Sequence, residues 1–368
     1  MNTKQISPTS STAEPNKLGG VIKLGIDVHI EKYVVVMKID GSAPQRAKRF
    51  TPAEFIAWAQ ALSTQCDELH SCYEAGPFGY TLHRRLTQMG VTNHVIRPIN
   101  WDEHAKNVKT DARDATQMVL CLDGYLRGNP RSFSTVRIPT ETEEQRRSTT
   151  RQRQSLIKER QRLAAKARGH VMYYGGRLQG EWWKPRRWRD LSEQLEPHLL
   201  ELLSALRTIM VVVEEQIVRL EQCLEQMTEV ALPKGMGPVI FQQMEREVCD
   251  WSRFETRKQV GGYTGLCPSE DTSDKRRFQG SITKHGNPRL RHMLIECVWL
   301  LIQWNPDYRG IVKWREKLLE AKLTKASKKK IIVAIARQFA VDWWRIRTGK
   351  ATPDQLGLSM KALPAMSA

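Results

Sequence analysis

Asp111 and Asp114 stand three positions apart in the stretch NVKTDARDA (107–115), which also carries Lys109 and Arg113. On a helix that spacing stacks both carboxylates on one face, and their repulsion is unfavourable unless a cation relieves it. Two further acids close β-rich runs: Asp27 at the end of VIKLGID and Glu74 at the end of ELHSCYE. Strand ends of a buried sheet and the start of a neighbouring helix can bring such carboxylates together. Hard oxygen ligands in this number suit two Mg2+ or Mn2+ ions, which would clamp the attacking and leaving oxygens of a phosphodiester. Lys109 and Arg113 would then face DNA phosphates. A competing reading makes the aspartate pair a helix cap, or the ion-pair partner of Arg113 and Lys109.

The elements that must position these acids are readable from periodicity. Runs 21–27 and 33–39, joined by a short polar turn, predict a hairpin. A helix follows from Pro52 to about Thr64, a strand ending at Glu74, a helix over GYTLHRRLTQMG and a strand over VTNHVIRP. Strands alternating with helices indicate an α/β layer around a mainly buried sheet. The segment carrying the two aspartates runs on into ATQMVLCLDGYL, whose apolar spacing is helical.

The charge balance points to the partner. Fifty-eight Lys and Arg against forty Asp and Glu give a net +18 over 368 residues, which favours a polyanion, nucleic acid above all. No apolar run approaches the length of a membrane span. Residues 1–20 are polar and read as a disordered tail without a signal-peptide core, and seven scattered cysteines form no CxxC pair, so a reducing cytoplasm fits. Between 144 and 189, fourteen Lys and Arg face three Glu, interleaved with Tyr173, Tyr174, Trp182, Trp183 and Trp188. That mixture suits backbone contact and base stacking; the alternative is a solvated helix face with its aromatics in an apolar seam.

From 195 to 227 the positions Leu195, Leu199, Leu202, Leu206, Ile209, Val213, Ile217, Leu220, Leu224 and Met227 predict a coiled-coil seam with one stutter near 213–217, separating two domains. PKGMGPVI, after Leu232, is a glycine-punctuated turn opening a helix. It reads as a connector or, more weakly, as a phosphate cradle. KKKIIVAIARQFAVDWW near the C-terminus predicts an amphipathic helix.

Taken in order, GIDVH, CYEAGPFGY, KTDARDA, LPKGMGP, GGYTGLCPSEDTS and GSITKHGNPRLRHML resemble the insertion-sequence transposases that include the pilin-gene invertases and the bridge-RNA-guided recombinases. The resemblance covers about residues 21–350. It implies an RNase H-like (RuvC-like) α/β domain with a DEDD tetrad (21–140), a basic helical coiled-coil segment (141–230) and a mainly α C-terminal transposase domain with a catalytic serine (231–350), flanked by the polar, disordered stretch 1–20 and a tail (351–368). The tetrad carries over to Asp27, Glu74, Asp111 and Asp114. Aligning on Pro268 and Ile282 puts Ser273 at the nucleophile, with Asp274 where the family has glycine; Ser269 and Thr272 are the alternative hydroxyls.

A serine hydroxyl needs a base or a metal to become a useful nucleophile. Six Lys and Arg and no acid between 275 and 291 offer positive charge for a phosphorane-like transition state, with Arg276, Arg277, Lys284 and Arg289 as candidates. The expected activity is RNA-guided transposition or site-specific recombination of double-stranded DNA through a phosphoserine, with tetrad-bound Mg2+ or Mn2+ activating Ser273 or the leaving oxygen. Pairing two DNA sites requires a homodimer or homotetramer, and the coiled-coil segment is the expected assembly element. Rival readings are a Holliday-junction-type metal-dependent nuclease using water, and a non-catalytic nucleic-acid-binding scaffold.

Overall fold

The computed structural model describes residues 19–98, 110–273, 276–320 and 323–361, the side chains of 271–278 excepted. These fall into two compact units divided between Ile138 and Pro139. Lys109 and all but the last two residues of the expected N-terminal tail lie outside the described residues.

The first unit is a mixed α/β layer. Its strands are β1 (Val21–Val28), β2 (Tyr33–Ile39), β3 (Lys48–Phe50), β4 (Glu68–Glu74) and β5 (Thr92–Ile96), and its helices are α1 (Pro52–Ser63), α2 (Thr81–Gln88) and α3 (Asp111–Leu126). The sheet runs β3-β2-β1-β4-β5, with β1–β3 antiparallel in sequence and β4 and β5 parallel to β1. The expected hairpin, both strands and both helices are present. α1 begins where Thr51 and Glu54 form a reciprocal capping box ahead of Pro52, which satisfies donors that the first turn leaves open.

Alternation along β1 divides the layers. Ile22, Leu24 and Ile26 join Phe55, Ala59, Leu82 and Leu86 of α1 and α2 in one core. Lys23, Gly25 and Asp27 face the opposite way, toward α3. A Cβ at Gly25 would lie 2.2 Å from the Ala115 carbonyl oxygen and 2.6 Å from the Val119 nitrogen, so α3 rests directly on the β1 backbone. Farther along α3, the buried Lys23 donates to Asp123 at 2.6 Å, and Lys38, opposite Lys23 in the hairpin, lies 3.4 Å from the same carboxylate. Burial pushes the Asp123 carboxyl up, but the Lys23 hydrogen bond and the charges of Lys23, Lys38 and Arg127 outweigh it and hold it below its ordinary value.

The second unit contains α4 (Glu141–Tyr173), α5 (Pro185–Ser192), α6 (Pro197–Gln226), α7 (Pro238–Val248), α8 (Arg257–Thr264), the hairpin β6 (Pro268–Ser273) and β7 (Arg276–Ile282), α9 (Pro288–Trp304), α10 (Arg309–Val312), α11 (Arg315–Leu319) and α12 (Lys325–Arg347). α4 and α6 pack antiparallel: Arg153 pairs with Glu221 and Arg160 with Glu214, seven residues apart on each helix. The buried line of α6 is Leu199, Leu203, Leu206, Met210, Val213, Ile217 and Leu224. This corrects the expected seam: Leu203 and Met210 replace Leu202 and Ile209, Ile209 and Met227 are exposed, and the stutter disappears. Every interval through Ile217 becomes an alternation of four and three, the repeat that keeps one face toward a partner helix.

Nor does α6 separate two domains. α4 packs on α7, where Arg151 makes a bidentate pair with the buried Glu247 and Arg246 donates to the Arg146 carbonyl. Trp182 and Trp183 are buried in a core with Leu199 and Leu203, and Trp188 packs against that core beside Trp182, so these three supply core rather than the expected base-stacking surface. Tyr173 and Tyr174 are exposed. A second core gathers Met244, Leu294, Val298, Ile335, Phe339 and Trp343 from α7, α9 and α12. Residues 351–361, expected to be tail, join it through Leu356 and Leu358, and the Ser359 N–H donates to Asn305.

Two substitutions test this arrangement. Asp123→Ala leaves Lys23 buried without its anion and costs roughly 3–5 kcal/mol; amide hydrogen exchange should show lost protection in β1 and α3. Met210→Ala costs roughly 2–5 kcal/mol in urea denaturation, whereas Ile209→Ala stays within about 0.5 kcal/mol. The reverse order would restore the other seam.

Candidate active site

The α3-facing side of β1 reads Lys23, Gly25, Asp27, and the alternation continues to His29 in the turn before β2. Because Gly25 seats α3 at Ala115, the first turn of α3 lies over the end of β1. The outcome is a junction of Asp27, His29 and Asp111 whose ligand atoms all lie within 4.8 Å of one another. His29 Nε2 is 3.2 Å from Asp27 Oδ2 and 3.8 Å from Asp111 Oδ2, and Lys32 Nζ is 3.6 Å from Asp111 Oδ2.

Thr110 is the N-cap of α3, and Asp111 and Asp114 occupy its first turn, so neither aspartate is the capping residue. The positive end of the helix dipole favours both charges. Asp27 carries the electrostatic signature of the cluster. Burial pushes its carboxyl up, the charge and hydrogen bond of His29 pull it down, and Asp111 and Asp114 push it up again, leaving it above its ordinary value. Asp114 is thus within electrostatic reach of Asp27.

Glu74 is placed by register. The last parallel pair of β1 and β4 is Ile26 with Tyr73, so Asp27 and Glu74 are the next residues on adjacent strands. Cys72, two residues earlier on β4, donates its S–H to the Met118 carbonyl of α3, so alternation puts Glu74 on the same side as Asp27. The three-residue group within mutual ligand distance contains neither Glu74 nor Asp114.

His29 and Lys32 are the side chains that sequence reasoning missed. The signal for His29 was present in GIDVH, since residues two apart on a strand share a face. Arg113 is exposed on the first turn of α3.

In the second unit, the expected nucleophile Ser273 lies in regular structure. It ends β6, paired with Arg276, while Thr272 pairs with Arg277. The foot of this hairpin is rigidly held. Thr283 N donates to Cys267 O, Lys284 adopts φ 58° with its N–H bonded to Gly265 O, and Asn287 caps α9 through Arg289 N and Leu290 N. The Asn287 amide also donates to Glu247 Oε2 at 2.8 Å, which ties the start of α9 to the Arg151 pair on α4. Lys284 is exposed and Arg289 half-buried. In PKGMGPVI, Gly235 at φ 91° packs on the Leu300 carbonyl, a packing role for that glycine.

Ionised Asp27 costs stability first through its burial and then through the charges of Asp111 and Asp114. A carboxyl raised in the fold is harmless while protonated and costs stability as pH climbs through its folded pKa. Asp27→Asn therefore raises the thermal midpoint in EDTA at neutral pH, and the gain fades as pH falls to about 4, where carboxyls of the unfolded chain are themselves protonating. Calorimetry at both pH values checks this; an equal gain at each contradicts it.

Comparison with known proteins agrees in both units. A transposase profile named for the DEDD residues of IS110 matches residues 24–174, and the profile described as Transposase IS116/IS110/IS902 family matches residues 230–313. The chain is 27% identical to the inferred transposase y4rJ of Sinorhizobium fredii, over 92% of this chain and 94% of that one. It is 22% identical to the transposase for insertion sequence element IS1111A of Coxiella burnetii, over 89% and 90% of the two chains. A third relative, the transposase for insertion sequence element IS1328 of Yersinia enterocolitica, is 21% identical over 89% and 97%. With an acidic junction in the first unit and a family match in each, the chain belongs to the IS116/IS110/IS902 transposases, enzymes of DNA cleavage and rejoining.

Proposed function

We propose that this transposase moves its insertion sequence by a phosphoserine route, with Asp27, Glu74, Asp111 and Asp114 as the RNase H-like metal site and Ser273 as the nucleophile. The observation that carries the reading is the convergence of Asp27 and Asp111, remote in sequence, at one strand end beneath a helix N-terminus. The donor set fits a divalent ion, being oxygen-rich, partly open to solvent and strained by like charge. Mg2+ or Mn2+ bound there would neutralise charge on a phosphodiester oxygen and lower the pKa of an attached hydroxyl.

The protein's own groups do the remainder. Asp27 and Glu74, on adjacent strands, and Asp111 and Asp114, on one helical turn, fix the ligand geometry. In the second unit the Ser273 oxygen forms a bond to phosphorus while the bond from phosphorus to a sugar oxygen breaks, and the departing oxygen takes a proton. A hydroxyl of the recipient strand then displaces the serine, so the number of phosphodiester bonds is conserved. Arg276, Arg277, Lys284 and Arg289 stabilise the charge on the phosphoryl oxygens, and Arg113 binds backbone phosphate. The basic α4 with exposed Tyr173 and Tyr174 suits single-stranded nucleic acid, which supports a structured noncoding guide RNA as partner. Recombining two double-stranded sites calls for a homodimer or homotetramer. No helix among the described residues is long and apolar enough to cross a membrane.

Purified protein, element RNA, Mg2+ and element-end DNA, resolved on denaturing gels before and after protease, test the route. The expected result is a protein-linked DNA band removed by protease, absent in Ser273→Ala and reduced at least a hundredfold in Asp27→Asn. Cleavage that survives Ser273→Ala without a linked band would establish a water-using nuclease instead. Undiminished recombination in Asp27→Asn would overturn the metal site.

A further inference from the structure

The geometry points to His29 as a nitrogen ligand within the metal site, one that biases the site from Mg2+ toward Mn2+. The inference rests on the metal reading above and adds a residue outside the acidic tetrad.

Three observations place the imidazole. His29 follows the end of β1 at Val28, and its ring lies beside Asp27 and Asp111, over the first turn of α3. The His29 N–H donates to the Lys32 carbonyl at 3.2 Å, closing the β1–β2 turn and fixing the backbone from which the ring projects. Nε2 then faces two carboxylate oxygens from different elements, 3.2 Å from Asp27 and 3.8 Å from Asp111, and all three ligand atoms lie within 4.8 Å of one another. Two carboxylate oxygens and one ring nitrogen within 4.8 Å of one another would offer an ion a mixed donor set. The ring is half exposed and is oriented by its hydrogen bond to Asp27, which turns Nε2 toward the ground an ion bound by Asp27 would occupy.

The donor types carry the preference. Mg2+ takes oxygen and water and gains little from imidazole; Mn2+ also favours oxygen, but as a first-row transition ion it accepts one imidazole more readily than Mg2+ does. One nitrogen among carboxylates leaves Mg2+ binding set by the aspartates and strengthens Mn2+ binding selectively. Lys32 competes for the same ground, because its ammonium lies 3.6 Å from Asp111. It can neutralise that carboxylate when no metal is held and swing aside when one is, being on a long, exposed side chain.

Mn2+ itself is the probe. The full-length protein is titrated with Mn2+ and, separately, Mg2+ in competition, and the bound Mn2+ is studied by electron spin echo envelope modulation for a coupled ring nitrogen. The wild type should show the nitrogen modulation and His29→Ala should lose it. His29→Ala should also weaken Mn2+ by at least the roughly tenfold that losing even an outer-shell partner costs, with a smaller change for Mg2+. His29→Gln, which offers an amide oxygen, should keep Mg2+ binding and lack the nitrogen signal. Mn2+ that binds in an Asp27-dependent way, with no nitrogen modulation and equal affinity in His29→Ala, overturns the role of His29 and leaves the metal site standing. Mn2+ binding indifferent to Asp27→Asn overturns both.

Discussion

The close seat of α3 on Gly25 is the constraint on which the first unit depends. A residue with any side chain at 25 would press into the Ala115 carbonyl and the Val119 nitrogen, so the helix would have to lift away from the sheet. With glycine there, one face of β1 acts as a ruler for α3. Lys23 meets Asp123 at one end, Gly25 meets Ala115 and Val119 in the middle, and Asp27 meets Asp111 at the other. The first two contacts stabilise the helix by a buried ion pair and by tight packing; the third is unfavourable by itself. The candidate site lies at the end where the fold tolerates repulsion, which is the pattern expected of sites that trade stability for chemistry.

The second unit solves a different problem, that of folding a strongly basic chain. Guanidinium groups of α4 are paired at heptad spacing with glutamates of α6, and Lys184 shares Glu214 with Arg160. The Glu247 carboxylate collects Arg151 of α4 and Asn287 at the start of α9, while the Tyr263 hydroxyl donates to the Glu247 backbone carbonyl. Burial pushes the Glu247 carboxyl up, and Arg151 and Asn287 more than offset that, holding it below its ordinary value. A buried, fully partnered carboxylate of this kind fixes three elements in one register. The hairpin whose first strand ends at Ser273 stands on that fixed base.

Local patterns made much of this legible. The β1–β2 hairpin, the strand ending at Glu74 and the helix beginning beside Asp111 all follow from period and punctuation, and the four acids stand at element ends where the sequence put them. The seam of α6 was not legible to the residue. Leu202–Leu203 and Ile209–Met210 offer two apolar lines one position apart, and only the face that α4 occupies selects between them. The tryptophans at 182 and 183 were misread because charge along a chain does not reveal which aromatics turn inward. The strand at Ser273 escaped because PSEDTS has no apolar alternation; its pairing rests on backbone hydrogen bonds to β7. His29 was overlooked because a turn residue carries no periodic label of its own, although its place two residues after Asp27 held the clue.

The central claim is that the seat of α3 on β1 brings carboxylates from both elements onto one divalent ion. The most direct measurement is an anomalous difference map from crystals of the protein soaked in Mn2+. A strong peak about 2.1 Å from oxygens of both Asp27 and Asp111, the distance expected for ions of this size, is the predicted result. A peak bonded to other residues, or Lys32 filling the junction while Mn2+ is in excess, would contradict it.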